Sequence, residues 1–344
     1  MSQADGTPPP FAAVVFNPVK VDATRLRASV DSAAQAAGWA PSHWYETSVA
    51  DPGTGQAQRA IAEGAAVVIA AGGDGTIRCV AEGLAGSDVP IALLPSGTGN
   101  LLARNLRLSL NRMDESVRTA FTGVDRRIDL GVVDLQREDG SRDTHAFVVM
   151  AGLGIDAAMI ANTDPRLKQR IGWIAYVGGI ARALRGENSV RLRFQLDEHP
   201  ARSVRVHSVL IGNCGLLTGN ILLLPEAAVD DGIFDIVALR PDGLFGWVQI
   251  GWKVLWENGV LRRSEVGRTI LRYTKEVRTL RYLKGREIVL RAEAPQQFQL
   301  DGDAMGAVVA VRARIRPEGL AVRIPATEAD HLPIAAHEQK PQPA

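Results

Sequence analysis

Two glycine-rich segments of this chain combine backbone freedom with polar side chains. The first reads Gly72-Gly73-Asp74-Gly75-Thr76, and the second reads Pro95-Ser96-Gly97-Thr98-Gly99-Asn100. Glycines let backbone N–H groups come close to an anion, and a helix that begins at such a turn adds a partial positive charge. Ser96, Thr98 and Asn100 add uncharged donors. The two segments therefore predict a phosphate-binding site.

The spacing within these segments excludes the commonest phosphate loops. No Lys-Ser/Thr pair follows the glycines, so neither segment is a Walker A loop, and neither contains a full GxGxxG. A looser match at 152–157 has no acidic residue about 20 positions later to bind a ribose, which favours an ordinary strand–turn–helix there. Asp74 is unusual beside phosphate, and two roles stay open for it: handling Mg²⁺ or orienting the loop. Two ordinary β–α turns are the alternative reading of the pair.

The elements that must position these segments alternate between strand and helix. Apolar runs predict strands at Phe11–Asn17, Ala65–Ala71 and Ile91–Leu94, and a polar–aromatic run predicts a strand at His43–Thr47. Helical spacing follows each of them, first at Asp22–Ala37 with Asp22 or Thr24 as cap, then at Thr54–Glu63, up to Leu84, and after Asn100. Open α/β sheets bind ligands at the carboxyl ends of their strands, where both glycine segments fall. The pattern predicts a doubly wound α/β nucleotide-binding domain.

From about Arg127 the pattern of polar and apolar residues changes. Polar and apolar residues alternate, as in Arg191-Leu192-Arg193-Phe194, which is typical of an antiparallel sheet with one wet face. Helical inserts are predicted at Leu167–Leu184 and Leu244–Asn258. The predicted strands are Ile128–Asp134, Thr144–Ala151, Val190–Leu196, Val204–Gly212, Ile233–Leu239, Thr279–Leu283, Ile288–Arg291 and Phe298–Leu300. We interpret this half as a β-sandwich-like domain, with the active site in the cleft between the two domains.

The length of 344 residues favours two domains. We assign residues 11–127 to the α/β domain and 128–326 to the β-rich domain, and leave open a return of the chain end to the first domain. Residues 1–10 and 327–344 are rich in Pro and Ala and are expected to be disordered tails.

The net charge, the number of cysteines and the lengths of the apolar runs indicate where the protein is located and what it binds. The net charge of +1 gives no electrostatic case for nucleic acid. Two cysteines, Cys79 and Cys214, predict buried thiols rather than a disulfide framework. Met1–Pro10 has no signal-peptide pattern, and no run approaches the ~20 apolar residues that span a bilayer. We expect a cytoplasmic protein that meets the inner face of the membrane only peripherally.

The glycine segments and their spacing, together with motifs along the chain, resemble the diacylglycerol kinase catalytic-domain family in its bacterial lipid-kinase branch, which is related in fold to NAD kinases and sphingosine kinases. The resemblance runs from Phe11 to about Pro325. Its further motifs are Asn17-Pro18, Thr47, Glu82, Ile128-Asp129-Leu130-Gly131, Ala151 to Ala157, Gly219 to Pro225, Asp231-Gly232 and Asp301-Gly302-Asp303.

The resemblance implies binding residues for ATP and for Mg²⁺. The structural Mg²⁺ site would be formed by Asp231 with the carbonyls of Ala228 and Ile233, although the residues alone would make Asp231 a hairpin-turn residue. The implied ATP-site residues are Asn17, Thr47, Gly72, Gly73, Asp74, Gly75, Thr76, Ile77, Arg78, Glu82, Pro95, Ser96, Gly97, Thr98, Gly99 and Asn100.

The resemblance also implies the catalytic acids. The family pattern ends in Asp-Gly-Glu, and Asp303 stands here in place of the Glu, one methylene shorter. Asp303, or Asp301 next to it, would accept the proton of the acceptor hydroxyl. A reach shortened by about 1 Å can cost on the order of 100-fold in rate, which puts the level of activity in doubt. Val19-Lys20 replaces the family's Ser-Gly, and Lys20 reads either as a phosphate ligand or as a solvated loop residue.

A membrane-facing segment is suggested in the second half. Trp247, Trp252 and Trp256 lie within Leu244–Trp256, and tryptophan favours the headgroup boundary. Arginines follow this segment, and Lys168 matches a basic position of the family. The alternative is a helix packed on its own sheet, with arginines on the wet faces of strands.

The resemblance implies an ATP-dependent lipid kinase that converts diacylglycerol to phosphatidic acid. Two alternatives remain. One is a kinase of the same fold with another acceptor: a sphingoid base, ceramide, another lipid alcohol or NAD. The other is a non-catalytic homologue that binds lipid or nucleotide. The expected partner is a lipid at a membrane surface, and a homodimer is left open.

Overall fold

The computed structural model describes residues 8–154, 189–217, 221–224, 226–239 and 280–326. The predicted helical inserts, Lys168, the three tryptophans of 244–256 and most of both predicted tails lie outside the described residues.

The first third of the chain forms a parallel sheet in the order β4-β3-β1-β2. Its strands are β1 (Ala12–Phe16), β2 (His43–Glu46), β3 (Val67–Gly72) and β4 (Ile91–Pro95). Its helices are α1 (Ala23–Ala36), α2 (Thr54–Ala62), α3 (Asp74–Gly83), α4 (Leu101–Asn105) and α5 (Met113–Thr122). The predicted alternation of strand and helix is confirmed.

Both faces of this sheet are covered, which explains its wholly apolar strands. In β1, Val15 faces a core that includes residues of α2 and α3. Its neighbour Val14 faces the opposite core, which includes residues of α1 and α5. Asp22 caps α1 as predicted, because its carboxylate accepts the N–H groups of Thr24 at 3.0 Å and Arg25 at 3.1 Å.

The remaining strands are mostly antiparallel, and the sheet path runs β14-β13-β10-β7-β15-β16 before it reaches β4. The pair β5–β6 joins β16, and the pair β8–β9 joins β15. The strands are β5 (Val124–Gln136), β6 (Arg142–Phe147), β7 (Met150–Leu153), β8 (Val190–Leu196), β9 (Arg202–Val206), β10 (Ser208–Gly212), β11 (Leu216–Leu217), β12 (Ile221–Leu222), β13 (Phe234–Leu239), β14 (Leu280–Gly285), β15 (Glu287–Leu300) and β16 (Asp303–Ile324).

Strand β16 was not predicted, and it joins the two halves of the sheet. It pairs in parallel with β4 through Val322 opposite Ile91 and Arg323 opposite Ala92. Its pairing with β5 is interrupted between Arg316 and Leu320, a stretch that includes Pro317. The predicted boundary between residues 127 and 128 falls inside β5, and the division into domains stays a prediction.

Two predicted strands were wrong because the chain changes partner within an apolar run. Thr144–Ala151 divides into β6, which pairs with β5, and β7, which pairs with β10 and β15. Val204–Gly212 divides in the same way into β9 and β10. Conversely, the two strands predicted at 288–291 and 298–300 are one strand, β15, with an irregularity after Arg291. Within the described part of the chain, no helix is long and apolar enough to cross a membrane.

Candidate active site

The first glycine segment is the turn between β3 and α3. Gly73 is the residue before the helix and has no side chain with which to cap the first N–H groups. A Cβ on Gly72 would lie 2.7 Å from the side chain of Thr76, so the turn packs tightly against its own helix. The start of α3 is therefore an uncapped helix N-terminus at the carboxyl edge of the parallel sheet, which suits an anion.

The second glycine segment lies in backbone contact with the first. Ser96 N–H donates to the carbonyl of Gly72 at 2.9 Å, and a Cβ on Gly97 would come within 2.9 Å of the Cα of Gly73. Asn100 has a φ of 50° and is buried. Its side chain accepts the N–H of Gly97 at 3.0 Å and donates to the carbonyl of Gly97 at 2.9 Å. Asn100 thus closes its own loop, and Thr98 is the exposed polar residue of the segment.

Asp74 fastens the second loop to the first. Its carboxylate accepts the N–H of Asn100 at 2.9 Å and the N–H of Leu101 at 2.6 Å, at the beginning of α4. Burial raises the pKa of Asp74, and the nearby carboxylate of Asp303 adds to this shift against the two donors. Of the two roles left open by the sequence, the geometry supports the orientation of the loop.

We expect Gly99→Ala to weaken the predicted binding of ATP by tenfold or more. A Cβ on Gly99 would lie 2.3 Å from Oδ2 of Asp74, so the carboxylate must leave its N–H partners. A hydrogen bond to a charged group is worth about 1.5–3 kcal/mol, and about 1.4 kcal/mol is tenfold in affinity. Titration calorimetry with Mg·ATP measures the loss, and Asp74→Ala should reproduce it. Wild-type affinity in both folded variants would contradict this role of Asp74.

The third part of the site is the hairpin turn between β15 and β16. Asp301 has a φ of 50° and Gly302 a φ of 95°, which places both central residues in the left-handed region typical of a type I′ turn. The turn brings Asp303 against α3, since a Cβ on Gly75 would lie 2.8 Å from Oδ2 of Asp303. Arg78 donates from Nε to the same oxygen at 3.2 Å. A carboxylate therefore lies beside the first glycine turn.

The two predicted catalytic acids have different surroundings. Asp301 is 5% exposed, and its carboxylate accepts the N–H groups of Val148, Val149 and Met150 at 2.8–2.9 Å. Burial raises the pKa of Asp301 to about 6, although these three donors oppose the shift. The side chain of Asp303 is 44% exposed. Asp303 can therefore meet a substrate, whereas Asp301 holds the strands together.

Asn17 and Thr47 follow the ends of β1 and β2 at the same edge of the sheet. Asn17 N–H donates to the carbonyl of Ala71 at 2.9 Å, and its side chain accepts the N–H of Val19 at 3.0 Å. Thr47 is buried, and its N–H donates to the carbonyl of Phe16. The structure thus brings both residues to the edge that carries the glycine turns.

Three predicted residues of α3 lie away from the glycine turn or inside the protein. The side chain of Ile77 packs in the core, and Arg78 is 7% exposed. Glu82 accepts the N–H of Ala146 at 2.7 Å and lies 3.4 Å from Nδ1 of His145. Sequence reasoning did not select His145, although Asp143 and His145 stand two apart on a strand and so share one face.

The predicted Mg²⁺ site lies in the turn before β13. Oδ1 of Asp231 accepts the N–H of Ile233 at 3.2 Å. Burial raises the pKa of Asp231 to about 6, the carboxylates of Asp235 and Asp129 add to the shift, and Lys284 opposes it. Within the described residues, Oδ2 of Asp235 is buried without a hydrogen-bond partner. Oδ1 of Asp235 lies 3.4 Å from Nζ of Lys284, so one cation already neutralises part of the charge of the two carboxylates. The buried Oδ2 of Asp235 and the carboxylate of Asp231 are oxygen ligands of the kind that a hard cation prefers.

The side chains alone do not form a metal cage at this turn. Among the described residues, no three His, Cys, Asp or Glu side chains are grouped so that they could hold a metal ion. A cation bound at Asp231 would therefore take most of its ligands from backbone carbonyls, with those of Ala228 and Ile233 as the predicted donors, and from water.

Comparison with known proteins places these features in context. The diacylglycerol kinase catalytic domain family matches residues 12–133, and the YegS C-terminal NAD kinase beta sandwich-like domain family matches residues 148–249. A Pseudomonas putida protein named probable lipid kinase YegS-like is 32% identical over 230 residues, which cover 58% of this chain and 70% of the relative. The diacylglycerol kinase of Bacillus subtilis is 27% identical over 269 residues, which cover 76% of this chain and 80% of the relative.

Other relatives match over less of their length. In proteins from Synechocystis, Pseudomonas aeruginosa and Xanthomonas euvesicatoria, the match spans 56%, 60% and 59% of the relative. A solved structure of a diacylglycerol kinase from Bacillus anthracis superposes with a TM-score of 0.61 at 16% identity, covering 92% of this chain and 97% of that one. This likeness confirms the predicted fold class, an α/β domain followed by a β-sandwich-like domain.

Proposed function

Because the chain belongs to the diacylglycerol kinase catalytic-domain family, we propose that it is an ATP-dependent lipid kinase that phosphorylates the hydroxyl of diacylglycerol to give phosphatidic acid. One observation carries the proposal. The exposed carboxylate of Asp303 lies against Gly75, in the first turn of the uncapped helix α3. A proton acceptor and a phosphate-binding turn are thus adjacent, as transfer from a nucleotide to an alcohol requires.

The two glycine turns would bind the phosphates of ATP. Phosphoryl transfer depends on positioning and on the neutralisation of charge rather than on covalent chemistry by the protein. The N–H groups at the start of α3 supply positive partial charge, and the Asp74 contact to Asn100 and Leu101 fixes the second turn beside the first. The site is thereby organised before ATP arrives.

Asp303 would accept the proton of the attacking hydroxyl. Its carboxylate is held on one side by the Arg78 guanidinium and is open to solvent on the other. A carboxylate in this position can hydrogen-bond the acceptor oxygen and align it for attack on the γ-phosphorus. Asp301 contributes by fixing the hairpin on which Asp303 stands.

We expect Mg²⁺ to bind at two sites. Bound with ATP, it would supply positive charge that offsets the charge of the β- and γ-phosphates. At the turn that carries Asp231, the carboxylate and the carbonyls of Ala228 and Ile233 would hold a structural ion close to the buried Asp235.

Peripheral contact with a membrane follows from the proposed acceptor, which is insoluble in water. A kinase acting on it must reach the bilayer surface without crossing it. The proposal includes this contact. A homodimer stays a prediction.

We expect labelled γ-phosphate from Mg·ATP to appear in phosphatidic acid when diacylglycerol is presented in mixed micelles. The panel of acceptors includes monoacylglycerol, ceramide, sphingosine and NAD. If one of these acceptors is labelled instead, the proposed kinase activity stands, but diacylglycerol is not the acceptor. Binding of ATP without transfer to any acceptor would contradict the proposal and favour a non-catalytic homologue.

A further inference from the structure

A line of charged side chains runs from Asp303 to β6. Arg78 and Glu82 stand four residues apart on α3, and Asp143 and His145 stand two apart on β6. Each pair therefore projects from one face of its element, and the two faces meet. Of these four side chains, Arg78 is the one that contacts Asp303 in the described structure.

The contacts form a line of hydrogen bonds and ion pairs, in which Arg78 and Glu82 are linked by an ion pair alone, because Nη1 of Arg78 has no hydrogen-bond partner among the described residues. Nε of Arg78 lies 3.2 Å from Oδ2 of Asp303, and Nη1 of Arg78 lies 3.5 Å from Oε2 of Glu82. The same oxygen of Glu82 lies 3.4 Å from Nδ1 of His145. The other ring nitrogen, Nε2, lies 2.9 Å from Oδ2 of Asp143. His145 therefore bridges two carboxylates, and one of them competes with Asp303 for Arg78.

At the other end of this line of charges, Arg137 connects Asp143 to β16, close to the hairpin that carries Asp303. Arg137 donates to Asp143 from Nη2 at 2.8 Å and from Nε at 3.2 Å. From Nη1 it donates to the carbonyls of Met305 and, at 3.2 Å, of Ala307. Met305 follows Asp303 by two residues, so the network holds β16 at two points beside the proposed base.

His145 decides the balance of charge in this network. The acids in contact are Asp303, Glu82 and Asp143, and the guanidinium groups are those of Arg78 and Arg137. Two more carboxylates act on the network through charge, Asp301 on Arg78 and Asp74 on Asp303. A protonated His145 adds a third positive charge to a network that is rich in carboxylates, whereas a neutral His145 leaves the two guanidinium groups alone to offset them. These groups come from α3, β6, the β5–β6 turn, β16 and the hairpin turn that precedes β16.

The protonated form of His145 is favoured by its neighbours. The hydrogen bond to Glu82 raises the pKa of His145 above its ordinary value, burial opposes the shift, and Asp143 adds to it. Burial pushes the pKa of Glu82 upward, but the contacts with His145 and the Ala146 N–H outweigh it and leave the pKa lowered.

We propose that His145 is a positioning residue for phosphoryl transfer, which in its protonated form neutralises Glu82 and so leaves Arg78 to hold Asp303 in place. The role rests on the proposed kinase function. When His145 loses its proton, Glu82 draws the Arg78 guanidinium towards itself, and Asp303 loses its partner at Oδ2. The rate of transfer therefore falls as the pH rises through the pKa of His145.

The test is the pH profile of kcat, over roughly pH 5.5 to 8.5 around the ordinary histidine value. In the wild-type protein, kcat falls at the alkaline side. In His145→Gln, kcat at the lower pH falls about 10- to 100-fold, because a displacement of the base by about 1 Å is costly, and the alkaline fall disappears. The KM for ATP stays unchanged. His145→Lys, which keeps a positive charge, restores part of the rate. His199→Gln, at an exposed histidine, is the matched control.

A second measurement does not depend on turnover. The NMR titration of His145 should show a raised pKa in the wild-type protein and a lower one in Glu82→Gln. An unchanged pH profile in an active His145→Gln variant, or an ordinary His145 titration, would overturn the positioning role alone. Wild-type protein that transfers phosphate to no acceptor would overturn the proposed function, and the role with it.

Discussion

Replacement of Asp303 by asparagine is expected to lower kcat by about 10²- to 10⁴-fold, the usual contribution of a general base. Asparagine keeps the shape of the side chain and the hairpin, but its amide cannot take the proton of the acceptor hydroxyl. The affinity for ATP should change little, because the glycine turns and the Asp74 contacts remain. Single-turnover transfer and calorimetry with Mg·ATP separate the two effects.

The matched control for Asp303→Asn is Glu293→Gln. Glu293 is an acid on the neighbouring strand β15, is 66% exposed and pairs only at 3.5 Å with Arg191. The Glu293→Gln variant should therefore have the kcat and the ATP affinity of the wild-type protein. If Asp303→Asn keeps a near-normal rate, the base lies elsewhere, and Asp301 becomes the next candidate despite its three N–H partners.

Asp303→Glu tests whether this site is built for the shorter acid. The sequence suggests that the loss of one methylene reduces reach, but the structure shows the carboxylate already within 2.8 Å of the position that a Gly75 Cβ would take. The measurement is kcat in the transfer assay. A higher kcat in Asp303→Glu would show that reach limits the wild-type protein, and a lower kcat would show that the site is built for aspartate.

Local patterns explain why the glycine turns and the α/β half could be predicted. Each depends on residues within a few positions of one another, as with the Asp22 cap and the wholly apolar strand β1. The resemblance then supplied the identity of the acids in the hairpin. The confirmed part of the prediction is the part encoded over short distances.

The remainder depends on partners far apart in sequence. The role of Asp74 was left open because its N–H partners lie 26 and 27 residues away in another loop. Strand β16 escaped prediction although Val311, Ala313 and Ile315 alternate with arginines, because Pro317 breaks the pattern. The bridge from Glu82 to His145 requires α3 to lie on β6, and no spacing along the chain states that contact.

Asp301→Ala is expected to reduce the free energy of unfolding by about 3–6 kcal/mol. The change removes the acceptor of the buried N–H groups of Val148 and Val149 and of the half-buried N–H group of Met150, and each unsatisfied buried donor costs about 1–3 kcal/mol. Alanine also tolerates the positive φ of this turn less well than aspartate, at about 1 kcal/mol. Urea unfolding followed by circular dichroism gives the difference, with the slope checked for two-state behaviour.

The chain contains a matched control for this change. Asp197 also has a positive φ, of 48°, and its carboxylate accepts two N–H groups, those of Arg286 and Glu287, both at 2.8 Å. Asp197 is exposed, so water can replace the carboxylate, and Asp197→Ala should cost no more than about 1–2 kcal/mol. Equal losses at the two positions would contradict the account, since burial would then not matter. A much larger loss at Asp301 would show that the carboxylate of Asp301 fixes the hairpin that carries Asp303. The two acids would then have separate roles, since Asp301 stabilises the hairpin and Asp303 accepts the proton.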